Sequence, residues 1–197
     1  MTRTDRHVVR TRELLQKALI ELISESGYDT ITIQDIVERA NVGRTTFYLH
    51  YTSKVDLFMS CHEAIVTGFS SGPLFSHPLT RAELLSPEPL PGATSAFRHL
   101  HDARTRLYPI FHGKDSALIV RRIRDLSAQA IEANLRTVFT EAECAIPLDV
   151  LSTYLAGAQI AMVQWWLEKR QHLTPESLAQ AFHRLLRAAI REAFVQR

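Results

Sequence analysis

Thr32-Ile-Gln-Asp-Ile-Val-Glu-Arg-Ala40-Asn-Val-Gly-Arg44-Thr-Thr-Phe-Tyr48-Leu-His-Tyr-Thr-Ser-Lys54 reads as two short helices joined by a tight turn. Thr32 is a good helix N-cap, and Asp35, three residues on, has capping-box spacing. Ile33, Ile36, Val37 and Ala40 recur at helical intervals and form one apolar stripe. Asn41-Val42-Gly43 is the turn, and Asn41 stands where a left-handed residue is needed, a conformation Asn tolerates better than most. A helix over about Arg44 to Tyr51 follows. Ile36, Val37, Ala40, Val42 and Phe47 are expected to pack the two inner faces together.

The outer face of that second helix is then free. Arg44, Thr45 and Tyr48 lie at i, i+1 and i+4 and project to nearly the same side. Arg44 is near the helix N-terminus, where recognition helices meet base edges. A guanidinium can bond guanine O6 and N7 together, and Thr45 suits a thymine methyl. Thr46, Tyr48 and His50 can reach phosphates, with Lys54 adding a positive contact. Thr32 and Gln34 stand where the first helix of the pair would cross the DNA backbone.

Outward from this motif the apolar spacing is helical nearly everywhere. A helix over about His7 to Ser26 precedes it, and Gly27 can end that helix in a left-handed cap. Arg3, Arg6, Arg10 and Arg12 stand against Asp5 in the first 12 residues, so the start of the chain is either an arm along phosphates or a solvated tail. A fourth helix is predicted over about Ser53 to Phe69. Between Gly72 and Gly92, Pro73, Pro78, Pro87, Pro89 and Pro91 prevent a continuous helix, leaving at most a helical turn at Thr80–Leu85. Helices follow over about Thr94–His112, Ser116–Phe139, Leu148–Gln171 and Pro175–Val195, the last capped by Thr174. The expected fold class is all-α: a three-helix helix-turn-helix domain over residues 1–54 and a larger helical domain over 55–197.

Residues 10 to 58 resemble the DNA-binding domain of the TetR (tetracycline repressor) family, also called TetR/AcrR regulators. The resemblance is carried by Ala40-Asn41-Val42-Gly43, Thr46-Phe47-Tyr48, His50-Tyr51 and Ser53-Lys54. Asn41 replaces the family's usual Gly and Gly43 its usual Ser cap, a loss of only a few tenths of a kcal/mol. The resemblance implies that Gln34, Arg44, Thr45 and Tyr48 read or approach bases, while Thr32, Thr46, His50 and Lys54 hold phosphates of a double-stranded operator. It implies a homodimer formed through the last two long helices, a palindromic operator and a small-molecule effector pocket in the C-terminal domain.

The two last helices are apolar over a wide arc, which requires cover on two sides. One side can meet the chain's own core and the other a symmetry mate, and small residues at 156–158 invite close approach. A helix central to a monomer has the same pattern. Candidate pocket residues are His101, Arg104 and Tyr108 on one helix, with Tyr154, Gln159 and Trp165 on another. Aromatics with a few polar groups suit a small-molecule site, although aromatics at helical spacing also serve as core.

Composition constrains the alternatives. The 197 residues are 46% hydrophobic and 22% charged, with a net charge of +2, so charge alone announces no nucleic acid. Cys61 and Cys144 form no CxxC pair, and a reducing cytoplasm is expected. There is no Gly-rich phosphate loop, HExxH or GxSxG, so neither enzyme, metal site nor cofactor is expected. The longest apolar stretch, Tyr154 to Leu167, is interrupted by Gln159 and Gln164 and falls short of the ~20 residues a bilayer span needs. Two other classes fit less well: a helical enzyme built on His99, His101 and Arg104, and an interaction module without DNA.

Overall fold

The computed structural model describes residues 3–61, 79–90, 92–168 and 173–194, with backbone alone for residues 3–6 and 106. Its helices are α1 (Arg3–Ser26), α2 (Ile33–Ala40), α3 (Arg44–His50), α4 (described over 54–61), α5 (Arg81–Leu85), α6 (Ala93–Asp102), α7 (Arg104–His112), α8 (Ser116–Val138), α9 (Leu148–Glu168) and α10 (Pro175–Ala193). The all-α class is as expected. The rest of the fourth helix, with Ile65 and Val66, lies outside the described residues. The chain forms two compact units. One joins Met1–Ala64 with Arg106–Ile119, and the other joins Ile65–Thr105 with Val120–Arg197. The first therefore reaches past residue 54 and takes in a segment from the middle of the chain.

In the first unit, Leu15, Leu19, Ile36, Phe47, Leu57 and Phe58 are almost wholly buried and form the core. Burying each such side chain contributes about 1.5–3 kcal/mol. α1 begins at Arg3, so Arg3, Arg6, Arg10 and Arg12 all lie on a helix. α1 stops at Gly27, whose φ of 80° with ψ of 153° is not the left-handed cap expected but an extended conformation that mainly glycine enters. The turn Tyr28–Thr30 is a short 3-10 helix. On the surface, Arg39 of α2 forms a bidentate pair with Glu25 of α1, at 2.8 and 2.7 Å. That guanidinium holds the Glu25 carboxyl below the usual carboxylate range.

In the second unit, α10 packs against α6, α9 and α5. The helix expected over Thr94–His112 is two helices, broken at Ala103. No breaker residue marks the spot. The break falls where Arg104 turns to donate Nε and Nη2 to the Leu167 carbonyl at 2.9 and 2.6 Å, a tertiary bond that local spacing does not encode. Pro109 sits inside α7 and removes one of its backbone donors. The helical turn at Thr80–Leu85 forms as α5, with Thr80 and Glu83 in a capping box. His183 of α10, 1% exposed, donates Nε2–H to the Ser86 carbonyl at 2.8 Å, fastening the end of α5.

The end of α10 is tied back by a feature that helical periodicity does not reveal. Cys144 and Phe194 form an isolated antiparallel bridge, Ala145 N–H donates to the Ala193 carbonyl at 2.8 Å, and Phe139 stacks on Phe194. Arg81 lies over the Phe139 ring and pairs with Glu143 at 2.7 Å. Thr140 N–H and hydroxyl also donate to Glu143. These bonds, Thr140's backbone N–H foremost, hold the Glu143 carboxyl down at about 2, against an ordinary 4.5. A depressed carboxylate stabilises the fold fully above its unfolded value and loses that contribution as pH falls towards the folded one. Glu143→Gln should therefore reduce the drop in melting temperature between about pH 5 and pH 2. An acid profile identical to wild type would show that the pair contributes nothing.

Candidate nucleic-acid interface

Local rules build the exposed face of α2 and α3. Thr32 N–H and hydroxyl donate to the Asp35 carboxylate, at 2.8 Å each, and Asp35 N–H donates back to Thr32 Oγ1 at 3.2 Å. This reciprocal cap fixes where α2 starts. Asn41 ends it with φ 52° and ψ 49°, the left-handed residue the turn was expected to need. Gly43 caps α3 without a side-chain bond, and a Cβ there would meet only Thr46 Oγ1 at 3.7 Å. A serine therefore fits at 43, and its absence reflects no steric demand.

α3 is anchored by one side chain. Phe47 is fully buried and meets Tyr48 and Tyr51 at ring-centroid distances of 5.4 and 6.0 Å. With Phe47 inward, Arg44, Thr45 and Tyr48 are exposed together. Arg44 lies 5.9 Å from the Tyr48 ring centroid, so the guanidinium and ring share one edge of the helix. Thr46 and His50 are half-buried on its flanks. Gln34 is exposed on α2 and donates Nε2–H to Glu38 at 2.6 Å. Sequence reasoning missed Leu49, which is 78% exposed between Tyr48 and His50. A large apolar side chain in a short helix whose inner position is already filled was the available signal.

Lys54 lies apart from this face. Its side chain is 15% exposed, and its ammonium donates to the Tyr28 and Ile31 carbonyls at 3.0 Å each. It also lies 4.1 Å from the Tyr28 ring centroid and 3.8 Å from Asp115. Tyr28 donates its hydroxyl to the same Asp115 carboxylate at 3.2 Å. Burial lowers the Lys54 ammonium from the ordinary lysine value, and Asp115 and Asp29 oppose that shift. Burial and the Asp115 charge together raise the Tyr28 phenol. This inward placement differs from that of a cation presented to a phosphate. Buried beside α3, Tyr51 has a hydroxyl without a hydrogen-bond partner among the described residues.

The candidate pocket residues have different surroundings, each described within its own unit. Gln159, 4% exposed, lines a cavity of about 30 Å³ in the second unit, between α5, α8, α9 and α10. Tyr154 and Trp165 face outward on α9, 63% and 41% exposed. Arg104 is committed to the Leu167 carbonyl, and the His101 ring packs against Trp166. Tyr108 belongs to the first unit and stacks on His112 at 4.3 Å. Neither cysteine favours its thiolate: burial pushes Cys61 up to about 12 and also raises Cys144. No helix among the described residues is long and apolar enough to cross a membrane, and no described group of His, Cys, Asp and Glu has the arrangement of a metal site.

Comparison with known proteins agrees with this architecture. Residues 15–61 match the family of bacterial regulatory proteins named tetR, and residues 88–188 match a transcriptional regulator C-terminal region. The HTH-type transcriptional regulator YxbF of Bacillus subtilis is 48% identical over 67 residues, 31% of this chain and 18% of that protein. YvdT of the same organism is 42% identical over 55 residues, 28% of each chain. These matches span less than a third of the curated relatives' length. A TetR transcriptional regulator from Streptococcus agalactiae is 27% identical, with 93% of this chain and 97% of that one covered at a TM-score of 0.59. The FadR repressor of Thermus thermophilus, solved with lauroyl-CoA, shares the fold at 19% identity and a TM-score of 0.61, over 94% of this chain and 96% of that one. With both the helix-turn-helix region and the larger helical region matched, the chain belongs to the TetR family of bacterial regulatory proteins.

Proposed function

We propose that this chain is a sequence-specific DNA-binding regulator rather than an enzyme. It acts in the cytoplasm as a homodimer, represses transcription from a palindromic operator, and leaves it when a small-molecule effector binds. Residues 1–54 read DNA and residues 55–197 dimerise and hold the effector. The observation that carries this reading is the common exposure of Arg44, Thr45 and Tyr48 on α3, a helix that Phe47 fixes from behind. Arg44 supplies two donors for guanine, and Thr45 and Tyr48 contact neighbouring bases. Gln34 approaches a base from α2. Thr32, Thr46 and His50 hold phosphates, and Lys54 supports the interface from within by bonding the Tyr28–Ile31 turn.

The dimer reading is supported by the outer row of α9. Val150, Tyr154, Ala158, Ala161 and Trp165 follow helical spacing and are all exposed. A Cβ at neighbouring Gly157 would meet nothing within 4 Å, so the chain's own packing does not require glycine there. Leu185 of α10 is 61% exposed as well. So large an apolar surface favours a second copy. Tyr154→Glu should convert the dimer to monomers in sedimentation at micromolar concentration. An unchanged dimer would remove α9 from the interface.

Selection of bound duplexes from random DNA tests the whole reading. Wild type should enrich two half-sites spaced to match successive major-groove turns, about 34–36 Å apart. Arg44→Ala should weaken the selected operator by about 1–3 kcal/mol and relax one base position per half-site. No enrichment at low salt from folded dimer would overturn the proposal. The effector part draws support from the Thermus FadR neighbour, whose structure contains lauroyl-CoA.

A further inference from the structure

The cavity of the second unit has an unusual chemical makeup for a site that must recognise something. Its walls are leucine and isoleucine side chains of α5, α8, α9 and α10, with Phe182, and its lining contains no ionisable residue. Two polar side chains enter it, Asn134 and Gln159. Asn134 already donates Nδ2–H to the Ala130 carbonyl at 2.9 Å. Gln159 is 4% exposed, and its amide has no hydrogen bond among the described residues. Its amide atoms are not among the fully buried polar atoms that lack a partner, so a donor and an acceptor stay accessible on a residue that lines the cavity.

We propose that this cavity binds a small, uncharged, largely apolar molecule with one hydroxyl, carbonyl or amide group, which Gln159 recognises. This inference rests on the effector part of the proposed function and names the effector's class. An amide can donate and accept, so it pairs with any of those three groups. A carboxylate or phosphate would have to shed its water with no cation to receive it, a far greater penalty than for a neutral group. The cavity's size sets a further limit. About 30 Å³ holds on the order of two water molecules. A ring or short chain enters by displacing a wall, and the shortest is α5, a five-residue helix carrying Leu84 and fastened to α10 by the His183–Ser86 bond.

The test uses the full chain with matched probes at neutral pH: 1-hexanol and phenol as neutral molecules, hexanoate and benzoate as anions. Melting temperature reports binding, and operator retention is measured in parallel. The neutral probes should raise the melting temperature saturably and the anions should not. Gln159→Met, which keeps length but removes the amide, should weaken phenol and hexanol about 5- to 10-fold. Leu135→Phe, which fills the space, should abolish the response while melting as cooperatively as wild type. Equal stabilisation by the anions, no response to either neutral probe, or an undiminished response in both variants would overturn the assignment. Neutral probes that bind through Gln159 yet leave operator retention unchanged would uphold the cavity's chemistry and sink the effector reading instead. Release by an anion with no neutral binding would overturn the cavity assignment and leave that reading standing.

Discussion

Phe47→Ala should destabilise the N-terminal unit by about 3–5 kcal/mol and abolish operator binding with it. Phe47 is fully buried, the one wholly buried side chain of a seven-residue helix. Its removal leaves a cavity between α2 and α3 that the aromatic neighbours Tyr48 and Tyr51 cannot collapse into without turning the recognition face. Leu49→Ala, two residues on, removes a mostly exposed side chain and should change stability by less than about 0.5 kcal/mol. Hydrogen exchange of the α2 and α3 amides in the two variants separates local from global loss. Protection of α3 unchanged in Phe47→Ala would mean that this helix is held by something other than its inner side chain.

Lys54→Met decides between two roles for one residue. If the ammonium serves the turn it is bonded to, losing charged hydrogen bonds to Tyr28 and Ile31 should cost about 1.5–3 kcal/mol of stability. The Asp115 carboxylate would also lose its nearest described cation, which adds to the loss. Operator affinity of the remaining folded protein would then keep its salt dependence. If Lys54 instead meets a phosphate, the melting temperature holds and the salt slope falls by about one. Melting curves and a salt titration on the same preparation give both readouts. A fall in slope with no thermal loss would refute the structural role.

The motif that specifies this fold was legible because its constraints are local. The Thr32–Asp35 capping box, the left-handed Asn41 and the inward Phe47 each follow from residues within a few positions of one another. Arg44, Thr45 and Tyr48 share an exposed face for the same reason: one helix turn relates them. The intramolecular partners of Lys54 could not be read from spacing, because they lie at Tyr28, Ile31 and Asp115, 23 or more positions away. The burial pattern along α9 was not legible for a related cause. Helical periodicity says that Tyr154, Gln159 and Trp165 are apolar or amphipathic positions on one helix, but not which side meets α10 and which meets solvent. Gln159 turned inward and the two aromatics outward. The break at Ala103 and the Cys144–Phe194 bridge are tertiary choices with no local signature.

Leu49 has a thermal consequence. A leucine held at 78% exposure orders water around it in the unbound protein. If DNA covers this side chain on binding, that water is released, and apolar burial lowers the heat capacity of the complex relative to its parts. Association through this face should therefore become more exothermic on warming. A substitution of Leu49 by a polar residue of similar size would flatten that temperature dependence and leave the arginine's base preference in place.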